Sequence, residues 1–300
     1  MHQRRIDDFT WQGHRLVYEE RGGGDRPFVL LHGLLLPAGV NAHIANVLAE
    51  HGHRVIMLEL LGHGRSDKPT HAYHYRMDKT AQQVVALLDH LGIDRAVVGG
   101  VSLGANVTLE VATKYPDRLV AGVCEMPVLE RGTIGVILQL EPLLFLFRYA
   151  GDLVRPVFRA LQHLKRLTSN ELYRAVIETG GEPREMAAVL HGFTAGPICP
   201  SYEERIKVQH PILVIGHKRD WMHPMDDAEA LAAELPNARL HKLRHFFEAR
   251  MHPDRVLDEL DGFLDEVWEV EEQARRAGAP PEAAEDQPDV QNAEAAEATP

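Results

Sequence analysis

The hydrophobic positions along the chain fall into two patterns that alternate. Short apolar runs, FVLLHG (28–33), RVIMLEL (54–60), RAVV (95–98), LVAGVCEM (119–126) and PILVIG (211–216), read as strands buried on both faces. HRLVYEE (14–20) alternates as a half-exposed strand does, and ARLHKL (238–243) is a further strand. Between these runs the apolar spacing lengthens to a helical period. Residues 41–50 predict a helix, and Met77, Ala81, Val84, Val85, Leu88 and Leu91 form a stripe that Gly92 closes. DDAEALAAEL (226–235) opens a helix on aspartates, and a last helix runs from about Pro253 to Val270. Strands alternating with helices predict β-α-β units and a mostly parallel sheet flanked by helices, an α/β fold. HRLVYEE and FVLLHG are expected to lie antiparallel at its start.

About 80 residues between the strands at 119–126 and 211–216 break this rhythm, showing helical periodicity and no strand. They predict a helical cap over the end of the sheet where strand carboxyl ends meet, the end at which ligands bind in open α/β sheets. The expected organisation is a core of residues 1–126 and 209–270, a cap at 127–208, and a remainder, 271–300, holding the end of the last helix and a tail. The longest apolar run, Thr133 to Gly151, is interrupted by Glu141, Pro142 and Arg148. Its pieces are shorter than the roughly 20 residues a bilayer requires, so no membrane span is expected.

Composition narrows the classes. With 300 residues and 45% hydrophobic content, the chain can bury a sizeable core. A formal net charge of −12 argues against nucleic acid as a partner. Half of that charge lies in residues 271–300, where eight acidic residues face two basic ones. From about residue 277 this Ala-, Glu- and Pro-rich segment cannot bury enough surface to offset its ordering entropy, and a disordered tail is expected. The first twenty residues hold no apolar core of a secretory signal. Cys124 and Cys199 suit reduced thiols, so a cytoplasmic protein is expected. No C-x-x-C pattern occurs, the spacing of His217, His223 and His241 matches no common ligand pattern, and neither a metal nor a cofactor is expected.

The chemistry concentrates at GGVSLGAN (99–106). RAVV must turn into the following helix within a few residues, and the turn reads Gly100-Val101-Ser102-Leu103-Gly104. This G-x-S-x-G pattern places a serine on strained backbone, with glycines where Cβ atoms would collide. A serine hydroxyl needs a base, usually histidine, held by a carboxylate, and backbone N–H groups aimed at the developing oxyanion. HGLLLP (32–37) follows a strand, and its Gly33 lets the next amide, on Leu34, face the site; Leu103 supplies the second amide. Asp220, in GHKRDWMHP, and His245, in RHFFEARMHPDRV, each follow a strand, and the order Ser, Asp, His matches one known triad arrangement. Among the histidines near the chain's end, His241 lies within a strand and His252 sits at the start of the last helix, which leaves His245. Glu125, one strand over, competes with Asp220 for the acid.

These pieces together resemble the α/β-hydrolase fold family, in its capped, single-domain form that includes esterases, lipases and C–C bond hydrolases. The resemblance covers about residues 12–268, through HGLLLP, LLGHGRSDKP (60–69), GGVSLGAN, GHKRDWMHP and RHFFEARMHPDRVLDELDGFL. It implies Ser102 as nucleophile, Asp220 as orienting acid, His245 as base, and Leu34 and Leu103 as oxyanion amides. Glu59 stands where an Asp commonly precedes the LGHG loop, and Ala105 where the family often has a further Gly; the Asn106 beside it is expected to narrow the pocket. A serine at the elbow argues against epoxide hydrolases and haloalkane dehalogenases, which attack with a carboxylate there.

The greasy cap run predicts a hydrophobic pocket lining, with Phe145 and Phe147 as candidates, and hence a small carboxylic ester with an apolar acyl or alcohol part. C–C bond hydrolysis by the same triad is the alternative, with Arg148, Arg155 or Arg159 to hold a carboxylate. A ligand-binding protein with negligible turnover is a third. Oligomeric state is not legible.

Overall fold

Along each central strand, neighbouring side chains enter two different cores. Val97 joins one and Val98 the other; Ile212 and Val214 face one layer while Leu213 and Ile215 face its opposite. That alternation is why these strands read as unbroken apolar runs. A computed structural model of the chain describes residues 4–164, 182–218, 220–244 and 254–278. Eight strands form one sheet: β1 (Arg5–Trp11), β2 (His14–Arg21), β3 (Pro27–Leu31), β4 (Arg54–Glu59), β5 (Ala96–Val101), β6 (Leu119–Glu125), β7 (Ile212–His217) and β8 (Ala238–Leu243). Their spatial order is β1-β2-β4-β3-β5-β6-β7-β8. Every pairing from β4 to β8 is parallel, and only β1–β2 and β2–β4 are antiparallel.

The start of the chain departs from the sequence expectation. HRLVYEE lies between β1 and β4, not beside FVLLHG. Its hairpin partner is RIDDFTW, joined to it through Gln12 (φ 49°) and Gly13 (φ 82°), the left-handed pair that a two-residue hairpin turn requires.

Helix α1 (Ala42–Glu50) covers one face of the sheet together with the carboxyl-terminal helix, while α2 (Met77–Leu91) and α3 (Leu103–Lys114) cover the other. Gly92 ends α2 in the left-handed conformation (φ 63°), with its N–H and that of Ile93 donating back into the last turn. The regular structure in the described part of the segment between β6 and β7 is helical: α4 (Glu130–Tyr149), α5 (Gly151–Leu164), α6 (Pro183–Thr194) and the single turn α7 (Tyr202–Arg205). Helix α8 (Met225–Glu234) connects β7 to β8, and α9 (Asp254–Arg276) runs six residues past the predicted Val270. Residues 279–300, where the tail is expected, lie outside the described residues, as do His245 and His252.

Polar side chains from the core fasten the cap at both ends. Asn106, buried in α3, donates to the carbonyls of Val128 (2.8 Å) and Ile198 (2.9 Å) and accepts from the Val128 N–H (2.9 Å). It therefore ties the cap instead of narrowing a pocket. The buried Asp227 of α8 accepts from Leu129 and Gly132 N–H at the start of α4, where a helix favours negative charge. Arg205, buried at the far end, pairs with Glu130 and Glu234 at 2.8 and 2.9 Å.

Replacing Asn106 with Leu leaves two carbonyls and one N–H buried without partners. The expected loss, read by urea unfolding, is about 2–4 kcal/mol.

Candidate active site

The turn after β5 is set by how closely three backbones meet. A Cβ on Gly100 would stand 2.5 Å from the Leu31 carbonyl oxygen, and one on Gly104 would stand 2.9 Å from Leu31. Only glycine fits either position. Between them Ser102 has φ 54° and ψ −107°, a strained conformation costing about 1–3 kcal/mol. The surroundings impose it: Ser102 N–H donates to the Glu125 carbonyl (2.8 Å), and its own carbonyl accepts the first helical hydrogen bond of α3 from Asn106 (3.0 Å). The Ser102 hydroxyl is thereby lifted off the carboxyl edge of the sheet.

A histidine meets it there. His223 Nε2 lies 2.9 Å from Ser102 Oγ, and His223 Nδ1 lies 2.9 Å from Asp220 Oδ2. A carboxylate only accepts, so Nδ1 carries the proton and Nε2 presents a lone pair to the hydroxyl. Asp220 Oδ1 also accepts from the N–H groups of Met222 (2.8 Å) and His223 (3.1 Å). Burial works to raise the Asp220 pKa, but the His223 ring and these two N–H groups outweigh it and hold the carboxyl below its usual range.

Glu125, the competing acid, is occupied elsewhere: its carboxylate lies 3.1 Å from His217 Nε2. His241 Nδ1 is 3.5 Å from Glu259 on α9, away from the serine. His223 is the residue that sequence reasoning passed over. The available signal was a histidine three residues beyond the candidate acid, on the same loop.

The fold agrees with comparisons to known proteins. Residues 26–161 match the family model described as alpha/beta hydrolase fold. A 2-hydroxy-6-oxononadienedioate/2-hydroxy-6-oxononatrienedioate hydrolase of Burkholderia vietnamiensis is 30% identical over 245 residues, covering 76% of this chain and 82% of that protein. The chain belongs to the alpha/beta hydrolase family. Among solved structures, the enol-lactonase of Burkholderia xenovorans superposes with a TM-score of 0.70 at 21% identity, over 86% of this chain and all of that one. A hydrolase of Pseudomonas aeruginosa superposes at 0.71 with 20% identity, over 86% and 98% of the two chains. At those identities the likeness is one of fold.

In this hydrolase the candidate oxyanion amides come from two ends. Leu103 opens α3, so its N–H is among the first four of the helix, which have no partner within it. Leu34 follows Gly33 in a tight turn closed by Leu36 N–H to the Gly33 carbonyl (3.1 Å). The left-handed residue of that turn is Leu35 (φ 59°), not Gly33. Leu34 and Leu35 pack against the cap cluster of Leu144, Phe147, Met186, Ala187 and Leu190. Phe147 is thus buried inside the cap, whereas Phe145 is 57% exposed on its outer face. Phe145 therefore does not line a pocket: α4 turns its side chain to the opposite side from Phe147. Glu59, at the family's Asp position, receives the Arg65 N–H (2.5 Å) and pairs with its guanidinium (3.1 Å), which braces the LGHG loop.

Beneath the HG turn two neutral imidazoles pack with centroids 4.6 Å apart. His32 donates from Nδ1 to the Gly33 carbonyl (2.8 Å) and accepts the Leu60 N–H at Nε2 (3.2 Å). His63 donates from Nδ1 to the Leu61 carbonyl (2.8 Å). Burial, and next the His32 ring, push His63 down to about 3. Because the folded value lies below the unfolded one, this stability is fully present above about pH 6.5 and is lost as pH falls towards 3. Urea unfolding at pH 7 and pH 5 is expected to show that His63→Asn spares about 2 kcal/mol of the acid-side loss. Equal losses in both proteins contradict this assignment.

Proposed function

We propose that this hydrolase cleaves a small carboxylic ester with an apolar acyl or alcohol part, using Ser102 as nucleophile, Asp220 as orienting carboxylate and a histidine as base. The observation that carries the reading is the continuous path from the strained Ser102 hydroxyl through an imidazole to a buried carboxylate. Ser102 Oγ attacks the ester carbonyl as its proton passes to Nε2 of the base. The carbonyl oxygen, now anionic, takes hydrogen bonds from the Leu34 and Leu103 amides. The base returns the proton to the departing alcohol, and water then repeats the sequence on the acyl-serine.

Two histidines claim the base. His223 is favoured by its contact with Ser102 Oγ. His245 is favoured by topology and by the family resemblance: β8 ends at Leu243, whose carbonyl accepts from Lys218 N–H (2.9 Å), so the chain leading to His245 leaves the sheet beside the Asp220 loop. If His245 is the base, Asp220 Oδ2 must accept from it in addition to, or in place of, His223; a carboxylate has lone pairs enough for both.

Ester cleavage is preferred over C–C bond cleavage because the described arginines offered for a substrate carboxylate are turned away or engaged. Arg148 is exposed, its guanidinium 6.0 Å from the Tyr149 ring, and Arg155 already pairs with Asp152 (2.8 Å) and Glu182 (2.9 Å). The second reading, C–C bond hydrolysis, draws support from the Burkholderia relative named above.

A fluorophosphonate probe should label the wild type and fail on Ser102→Ala. On p-nitrophenyl esters, Asp220→Asn and one of His223→Ala or His245→Ala should lose kcat by about 10³-fold or more, while the other histidine variant keeps most of it. Full labelling of Ser102→Ala refutes the nucleophile. Turnover of a dienone acid well above every ester in a graded series would move the substrate class to the second reading.

A further inference from the structure

Among the described residues other than glycine, four have a positive φ: Gln12, Leu35, Ser102 and Met126. Gln12 serves the hairpin between β1 and β2. The other three lie within four residues past the carboxyl ends of β3, β5 and β6, three consecutive strands of the sheet. Leu35 belongs to the candidate oxyanion turn, and Ser102 is the candidate nucleophile. Met126 shares the φ of 54° with Ser102, and strain of this kind gathers at functional sites. Glycine would take this conformation without a Cβ penalty, yet a long thioether occupies it.

The backbone around Met126 is pinned on both sides. Its N–H donates to the Ile215 carbonyl of β7 (2.8 Å), and the carbonyl of the preceding Glu125 accepts from Ser102 N–H (2.8 Å). Val128, two residues on, donates its N–H to Asn106 of α3 (2.9 Å). Strands β5 and β6 pair in parallel as far as Val101 and Glu125, so Ser102 and Met126 stand side by side one residue beyond. The Met126 side chain is 3% exposed, but it joins neither core layer nor the cap cluster. Its cover comes from groups outside those apolar clusters.

The hydrogen-bonded path at the serine supplies that cover. Strand order at this edge is β5-β6-β7, with Ser102 past β5 and Asp220 past β7. An imidazole that touches both, as His223 does at 2.9 Å on each side, crosses the end of β6, where Met126 stands. An imidazole from His245 would cross the same strand end to make the same two contacts. Glu125, the neighbouring side chain at that end, is drawn to His217. A thioether suits the place beneath a ring: it packs favourably against aromatic groups and competes only weakly for the ring's hydrogen bonds.

We propose that Met126 is a positioning residue, its side chain forming the floor on which the imidazole rests between Asp220 and Ser102. This role rests on the reading of Ser102 as a nucleophile served by that imidazole. Full-length wild type, Met126→Gly, Met126→Gln and Met126→Leu are compared on p-nitrophenyl esters of graded chain length and with a fluorophosphonate probe, with circular dichroism as the control for folding. Glycine accepts the positive φ but removes the floor, glutamine keeps the length but brings an amide that hydrogen-bonds the ring, and leucine keeps an apolar floor of similar volume. The Gly and Gln variants should lose kcat by about tenfold or more at nearly unchanged KM, by one factor on every ester, and should label more slowly. Met126→Leu should recover kcat to within about threefold of the wild type. Wild-type kcat in a folded Gly or Gln variant overturns the proposal, and if Met126→Gly does not fold, the Gln variant decides. A loss that grows or shrinks with chain length overturns it by making Met126 a wall of the substrate pocket, and a Leu variant as slow as the other two overturns it by assigning Met126 to local folding. Labelling that persists in Ser102→Ala marks failure of the nucleophile reading itself, which none of the Met126 outcomes would produce.

Discussion

The approach of β3 to the turn after β5 governs the candidate site. Leu31 pairs in register with Gly100, and its carbonyl fills the space that a side chain at Gly100 or Gly104 would need. The same contact does two further things. It keeps the turn tight on both sides of Ser102, whose backbone angles are φ 54° and ψ −107°, and it brings β3 and β5 to an end within one residue of each other in register. The HG turn follows β3 as α3 follows β5, and the two candidate oxyanion donors come just past the carboxyl ends of two adjacent parallel strands. The strain at Ser102 persists because hydrogen bonds from β6 and α3 hold it on either side.

A second set of constraints keeps the cap in place above that turn. Asn106 belongs to the helix that the serine begins, and it binds the cap near both its first and its last residues. Asp227 accepts hydrogen bonds from the start of α4, and the buried Arg205 of α7 pairs with Glu130 on α4 and Glu234 on α8. Burying such charges gains little stability by itself, but each leaves an uncompensated group if its partner moves, which penalises other placements of the cap. The apolar cluster of Leu144, Phe147 and Leu190 then packs on Leu34 and Leu35, so the cap bears directly on the candidate oxyanion turn. The polar groups at the strand ends are sorted by the same crowding. Glu125 is engaged by His217, leaving Asp220, on the next loop outward, to hold the imidazole that faces the serine.

Much of this was legible in the chain. Strand runs, the stripe ending at Gly92, the helical insertion and the G-x-S-x-G turn depend on local sterics and on the two periods of strand and helix, and these are written residue by residue. The mostly parallel sheet and the family followed from them. Ser102 and Asp220 stood out as candidates for the same reason, since each lies just past a strand whose end the sequence marks. The first strand was not, because RIDDFTW is too polar to signal burial until HRLVYEE pairs with it.

What the tertiary structure alone decided concerns side chains whose neighbours are distant in sequence. His223 meets Ser102 across 121 positions, and its place three residues after Asp220 sets it apart from the other histidines of the chain only once that loop is folded beside the serine. Asn106 acts as a clamp because Val128 and Ile198 arrive beside it, and Phe145 and Phe147, two residues apart on one helix, end on opposite sides of the cap. Hydrophobicity fixes that such residues seek a surface to cover; which surface, and whether it is core, pocket or outer face, is set by the packing of the helix as a rigid body. A periodic pattern specifies an element and its faces, but the direction each face points is a property of the assembled fold.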